Sequence, residues 1–133
     1  MTILRFSVRT TARTDLVEIT AEVGRLVAAS GVEEGVCRIF VPHTTAGVTI
    51  NENADPSVQR DIKLIFDRMV PWEGGYAHAE GNSAAHVKAS LTGSSVAVPI
   101  EKGSLVLGTW QGIYFCDFDG PRSRKVIVKV MED

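Results

Sequence analysis

The sequence predicts an α+β protein: a β-sandwich or jelly-roll-like core with about three flanking helices, folded as a single domain over residues 1–133. Three observations lead there. Segments of strand character outnumber segments of helical character. The helical segments are separated by strong turn and cap residues rather than fused into long runs. The chain of 133 residues shows no repeat, low-complexity tract or linker, and that length suits one core dressed by helices.

Taken in order, residues 3–11 alternate, with Leu4, Phe6 and Val8 on one side and Arg5, Ser7 and Arg9 on the other. That period of two predicts a strand with one wet face. Asp15 and Glu18 have the spacing of a capping box. With Leu16, Ile19, Val23, Leu26 and Val27 at helical intervals and Gly31 beyond, they predict a helix over 15–30. Gly35–Val41 is a short apolar run ending at Pro42, and Val48-Thr49-Ile50 is another; both read as buried strands. Asp55-Pro56 starts a second helix, with Asp as N-cap and Pro in the first turn. Val58, Ile62, Ile65, Phe66 and Met69 line one face, and Pro71 stops it. Residues 71–82 form a glycine-rich loop holding Trp72, Tyr76 and His78. Asn82 caps a third helix over about 83–91, closed by Gly93. Strands over 95–100 and 104–116, joined by Glu101-Lys102-Gly103, and a last one through Lys125–Val130 complete the chain.

Composition excludes several classes. Hydrophobic residues are 44% and charged residues 23%, as in folded proteins rather than disordered ones. A net charge of −2 provides no global field for nucleic acid or an anionic membrane, so any anion site must be local. No apolar run reaches spanning length, and Met1-Thr2-Ile3-Leu4-Arg5 does not open as a signal peptide, so a cytoplasmic protein is expected. Cys37 and Cys116 lie among apolar neighbours without a second cysteine at finger-like spacing, and read as core thiols.

The candidate chemistry centres on three histidines that fall outside the apolar periodicities. His43 follows a proline at a strand end, His78 lies in the glycine loop, and His86 is on the third helix. Each alone is a routine polar residue; together, near Glu52 and Glu80, they suggest ligands for a divalent metal, zinc or magnesium. Their spacing matches no compact signature such as HExxH. Glu52 reads equally as a solvated charge at a helix start and as a ligand or general base. Lys88, Arg122 and Arg124 offer positive charge for phosphate, while Asp117 and Asp119 are the carboxylates that would instead fasten those arginines into a turn. Trp110 and Gln111 pair an indole and an amide that need partners, pointing to a subunit interface or a polar pocket. No Walker loop, GxGxxG or GxSxG is present.

Several blocks are recognisable in order: His43-Thr44-Thr45-Ala46, Thr49-Ile50-Asn51-Glu52-Asn53, Asp55-Pro56, and Tyr76-x-His78. They continue as His86-Val87-Lys88-Ala89-Ser90-Leu91, Leu107-Gly108-Thr109-Trp110-Gln111-Gly112-Ile113 and Phe118-Asp119-Gly120-Pro121-Arg122-x-Arg124. From residue 42 onward the chain resembles the YjbQ family, also called the secondary thiamine-phosphate synthase enzyme family, which more often has Glu at position 117. The resemblance implies a sandwich-like α+β fold, a homotrimer, and a polar pocket around His43, Glu52, His78 and His86. It also implies a weak transferase activity joining a pyrimidine-methyl diphosphate to a thiazole phosphate. On that basis His43, His78 and His86 are expected to hold a metal or the diphosphate. Glu52, His43 and His86 are the expected catalytic groups, and Lys88, Arg122, Arg124, Gln111 and Asn51 the expected contacts to a small phosphorylated metabolite. A metal-dependent phosphatase or hydrolase, or a non-catalytic module binding an anionic metabolite, is the competing expectation.

Overall fold

A computed structural model describes residues 3–133; Met1 and Thr2, the start of the segment read above as no signal peptide, lie outside them. The elements are β1 (Ile3–Arg9), β2 (Asp15–Glu18), α1 (Thr20–Ser30), β3 (Gly35–Phe40), β4 (Ala46–Glu52) and α2 (Pro56–Met69). They continue as α3 (Ser83–Thr92), β5 (Ser95–Glu101), β6 (Ser104–Leu105), β7 (Gln111–Asp117) and β8 (Ser123–Glu132). The strands form two antiparallel sheets, one ordered β1-β8-β3-β5-β6 and the other β2-β7-β4. This is the mixed α+β fold with three helices that the sequence predicts.

The sheets face each other across the main core. Val8, Ile39, Val98, Val126 and Val128 of the larger sheet meet Val48, Ile113 and Phe115 of the smaller one, and Val23 and Val27 of α1 close one side. The neighbours of Ile113 and Phe115 on β7 point the other way. Tyr114 and Cys116, with Phe118, pack against Ala85 and Ala89 of α3 and against Phe66 and Trp72. Both faces of β7 are thus covered, which is why Ile113-Tyr114-Phe115-Cys116 is apolar throughout instead of alternating. Burial pushes the thiol of Cys37 up to about 11 and that of Cys116 up to about 12, so both are inert core groups rather than thiolate ligands.

Three local expectations give way to tertiary structure. Asp15–Glu18 is not the first turn of a helix but a strand paired with Tyr114–Asp117 of β7. Asp15 accepts from the Thr11 N–H at 2.8 Å instead of capping, and α1 begins only at Thr20. The strand expected over 104–116 is broken. Its first part is β6, two residues at the edge of the larger sheet, and its second part is β7 in the smaller one. The crossing is a turn closed by Gln111, whose N–H donates to the Gly108 carbonyl at 3.0 Å and whose Oε1 accepts from the Gly108 N–H at 2.8 Å. Trp110 therefore stands at a turn, 63% exposed, rather than inside an apolar strand.

Asp55 caps α2 as expected, accepting from the Ser57 N–H at 2.9 Å. Yet α2 contributes no buried residue, and Leu64, Ile65 and Met69 remain exposed. The homotrimer implied by the resemblance is a proposal that would cover this stripe; a monomeric mass in solution would contradict it. No helix among the described residues is long and apolar enough to cross a membrane.

Candidate functional site

Two chain crossings meet at one end of the sandwich. The segment 41–45 carries the chain from β3 in the larger sheet to β4 in the smaller one, and the segment 118–122 carries it back from β7 to β8. The Phe118 N–H donates to the Thr45 carbonyl at 3.0 Å, tying the two crossings together. The start of α3 and the end of the 71–82 loop complete the rim. The helix is drawn tightly against β4 because Gly47 has no side chain: a Cβ there would lie 2.5 Å from the Gly93 carbonyl oxygen. The result is an open polar cleft of about 760 Å³ lined by His43, Thr44, Thr45, His78, Glu80, Asn82, His86, Ser94, Asp119, Arg122 and Arg124, with Phe40, Val41 and Pro42 behind them.

The floor of this cleft is fixed by a buried ion pair. The Arg124 guanidinium donates through Nη2 to Asp117 Oδ1 at 2.7 Å and through Nε to Oδ2 at 3.1 Å, and also to Thr45 Oγ1 at 2.8 Å. Their side chains are 4% and 0% exposed. Asp117 accepts further from the Thr10 hydroxyl at 2.7 Å and the Asp119 N–H at 2.9 Å. Burial opposes the carboxylate charge, but these four hydrogen bonds and the Arg124 charge outweigh it, and Asp117 titrates below the ordinary carboxylate range. Arg124 is therefore a structural cation, neutralised where it stands. Arg122 differs: its side chain is 52% exposed, and it leans on Asp119 through Nη2–Oδ2 at 3.3 Å and Nε to the Asp119 carbonyl at 3.0 Å. One arginine fastens the turn and the other faces the cleft.

His43 is held by an unusual partner. Its Nε2 accepts from the backbone N–H of Lys125 at 2.9 Å. A backbone N–H can only donate, so that nitrogen carries no proton and the neutral ring must hold its proton on Nδ1. Partial burial and the charges of Arg124 and Arg122 push the imidazole below its ordinary pKa, against the opposing pull of Asp117. His43 is thus a neutral donor at pH 7. His78 and His86 meet edge-to-face at 5.4 Å between ring centres, and Glu80 lies 3.8 Å from His78 Nε2.

A three-histidine metal centre is not assembled by these positions. With Nε2 bonded to Lys125 and Nδ1 protonated, His43 has no free lone pair, and among the described residues no group of three or more His, Cys, Asp or Glu side chains is placed to hold a metal ion.

The other expected site residues lie elsewhere in this chain. Glu52 pairs with Gln111 at the far end of β4 and β7, beside Asn51. Glu52 lies six residue steps along β4 from Ala46 at the cleft end, roughly 20 Å at the usual strand rise. Asn51 Oδ1 accepts from the Glu52 N–H at 2.7 Å, and the Glu52 carbonyl accepts from Gln59. Lys88 is buried on α3 and reaches Asp67 of α2 at 2.6 Å, joining the two helices. Thr45, Asn82 and Asp119 also line the cleft; the sequence marks Thr45 by its motif block, Asn82 as a helix cap and Asp119 as a turn carboxylate beside the arginines, and does not single them out as site residues. Asn82 does not cap α3 with its side chain. Its Nδ2 donates to Asp119 Oδ2 at 2.9 Å, and among the described residues nothing satisfies its buried Oδ1.

Residues 4–133 match the family described as UPF0047 protein YjbQ-like. The chain is 51% identical to UPF0047 protein YugU of Bacillus subtilis over 93% of its own length and 95% of that protein. It is 47% identical to UPF0047 protein MJ1081 of Methanocaldococcus jannaschii over 98% and 95%. Its fold superposes with a TM-score of 0.95 on a yjbq/upf0047 family protein from Clostridium acetobutylicum, 55% identical, covering 96% of this chain and 99% of that one. The same score relates it to a YbjQ-like protein of unknown function from Sulfolobus solfataricus, 32% identical, covering 99% and 97%. The chain belongs to the UPF0047 family of YjbQ-like proteins, a family of unknown function.

Proposed function

We propose that the cleft binds the phosphate or diphosphate of a small phosphorylated metabolite, and that the activity it supports is a thiamine-phosphate synthase-like transfer. The observation carrying this reading is that Arg122, half exposed although paired with Asp119, and His43, a neutral ring protonated on Nδ1, line one polar hollow. A planar guanidinium and a fixed N–H donor suit phosphate oxygens. In the transfer, the carbon–oxygen bond to diphosphate breaks with its electron pair going to diphosphate, and the carbon bonds to the thiazole partner. Arg122 and His43 would stabilise the charge that gathers on the departing oxygens. Glu52, Asn51, Gln111 and Lys88 have no part in this reading within one chain.

Calorimetric titration with pyrophosphate tests the binding. Arg122→Ala is expected to weaken affinity at least about tenfold, the worth of a charge-assisted contact. Unchanged affinity overturns the proposal. Thiamine phosphate formed from the two precursors supports the transferase. Phosphate released from a phosphomonoester panel would indicate a hydrolase, and binding without turnover would indicate a carrier module.

A further inference from the structure

The cleft that takes the anion also carries acceptors, which a fully ionised oxyanion cannot satisfy. Beside Arg122 stand the carboxylate of Asp119 and the amide of Asn82. The Asp119 side chain is 19% exposed, and its Oδ2 takes both neighbours, Arg122 Nη2 at 3.3 Å and Asn82 Nδ2 at 2.9 Å. Among the described residues no hydrogen bond reaches its Oδ1. Asn82 is 8% exposed. Its NH2 has to face Asp119, because the amide oxygen would otherwise meet a carboxylate oxygen. That choice leaves Asn82 Oδ1 enclosed in the cleft wall, and among the described residues nothing donates to it. A buried acceptor without a donor is uncommon and calls for a partner from outside the chain.

We infer that the cleft selects an oxyanion that still carries a proton: a terminal phosphate in its P–OH form, with Asp119 accepting that proton and Arg122 and His43 holding the ionised oxygens. Asn82 keeps Asp119 in place and brings its own unpaired oxygen to the same wall. This rests on the anion reading above and adds the protonation class of the ligand and the residues that set it. A fully ionised oxyanion would put bare oxygens against the Asp119 carboxylate, like charge facing like, and leave both acceptors without a donor. A P–OH turns the same contact into a charge-assisted hydrogen bond. A terminal phosphate can supply the proton near neutral pH, because its second pKa lies at about 6 and a carboxylate acceptor favours the protonated form. Sulfate and phosphodiesters have no such proton to offer. A site built to pair a ligand hydroxyl rejects the analogue that lacks it, because its own polar groups are then stranded.

The test compares inorganic phosphate with sulfate by calorimetry at pH 7, in wild type, Asp119→Asn and Asn82→Ala. The two anions are alike in size and shape, but only phosphate keeps a proton at that pH. Wild type is expected to bind phosphate at least about tenfold more tightly, the worth of a hydrogen bond to a charged group. Asp119→Asn puts a donor amide where the carboxylate stands. It is expected to bind sulfate about tenfold better than wild type does and to bring the phosphate-to-sulfate ratio near one. A gain in sulfate affinity cannot come from a damaged fold. Asn82→Ala, which removes the enclosed acceptor and releases Asp119, is expected to lower the ratio as well. If wild type binds sulfate as tightly as phosphate, and both depend on Arg122, the selection is wrong and the anion reading stands. If neither anion binds, both fall. A ratio unchanged in either variant overturns the assignment, because the proton is then read elsewhere.

Discussion

Replacing Arg124 by Met is expected to destabilise the protein by about 3 kcal/mol, the lower part of the range for removing one partner of a buried ion pair. The cost arises on the partner. Asp117 is fully enclosed, and without the guanidinium its charge keeps only the Thr10 hydroxyl and the Asp119 N–H. Those two bonds place the loss at the lower end. In a chain of this length the melting midpoint should fall by roughly 10 °C. Asp117→Asn alone should also destabilise, since it leaves Arg124 buried and unpaired. A double variant should lose less than the sum of the two single losses, because each single change strands a charge that the double change removes. Additive losses would show that the pair is not coupled.

The same pair sets an acid limb. The folded pKa of Asp117 lies below its ordinary value of 3.8, so the folded state binds the proton less readily than the unfolded chain does. The associated stability is fully present above about pH 4 and is lost as the pH falls through 3.8 toward the folded value. Urea midpoints measured at pH 5 and pH 3 should therefore drop more for wild type than for Asp117→Asn. Equal drops would remove Asp117 from the acid response.

How much of this was legible beforehand follows from where each signal resides. The helix α2 announces itself locally, through Asp55, Pro56 and one apolar face, and it forms as expected. Asp15–Glu18 carries an equally good local cap signal and forms a strand, because pairing with β7 satisfies its backbone and seats Leu16 against the second core cluster. Propensity yields there to a partner a hundred residues away. The histidines and the Asp117–Arg124 turn stand out by residue type, so the cleft was half visible. Its geometry was not. Nothing near Arg122 and Arg124 in sequence tells which is enclosed; burial follows from β8 running between β1 and β3 in the larger sheet. Glu52 and Gln111 join the candidates by motif, and they fall at the opposite end of the same strands because β4 and β7 are long enough to separate them from His43.

His43 carries the remaining large effect, and its state is open to direct measurement. His43→Ala is expected to weaken pyrophosphate binding by about ten- to a hundredfold, the range for losing a hydrogen bond to a charged group. Because the ring is neutral with its proton on Nδ1, that ratio should stay constant from pH 9 to pH 7. Wild type and variant should begin to converge or diverge only below the ordinary value of 6.5, since burial and the nearby arginines delay protonation. Protonation must place a hydrogen on Nε2, where the Lys125 N–H already points. It therefore breaks the contact that orients the ring as it adds charge. Nitrogen chemical shifts of the imidazole should report the Nδ1–H tautomer at neutral pH. A ring found as Nε2–H or as imidazolium at pH 7 would mean that Lys125 does not hold it, and the fixed donor lining the cleft would be lost from the proposed binding site.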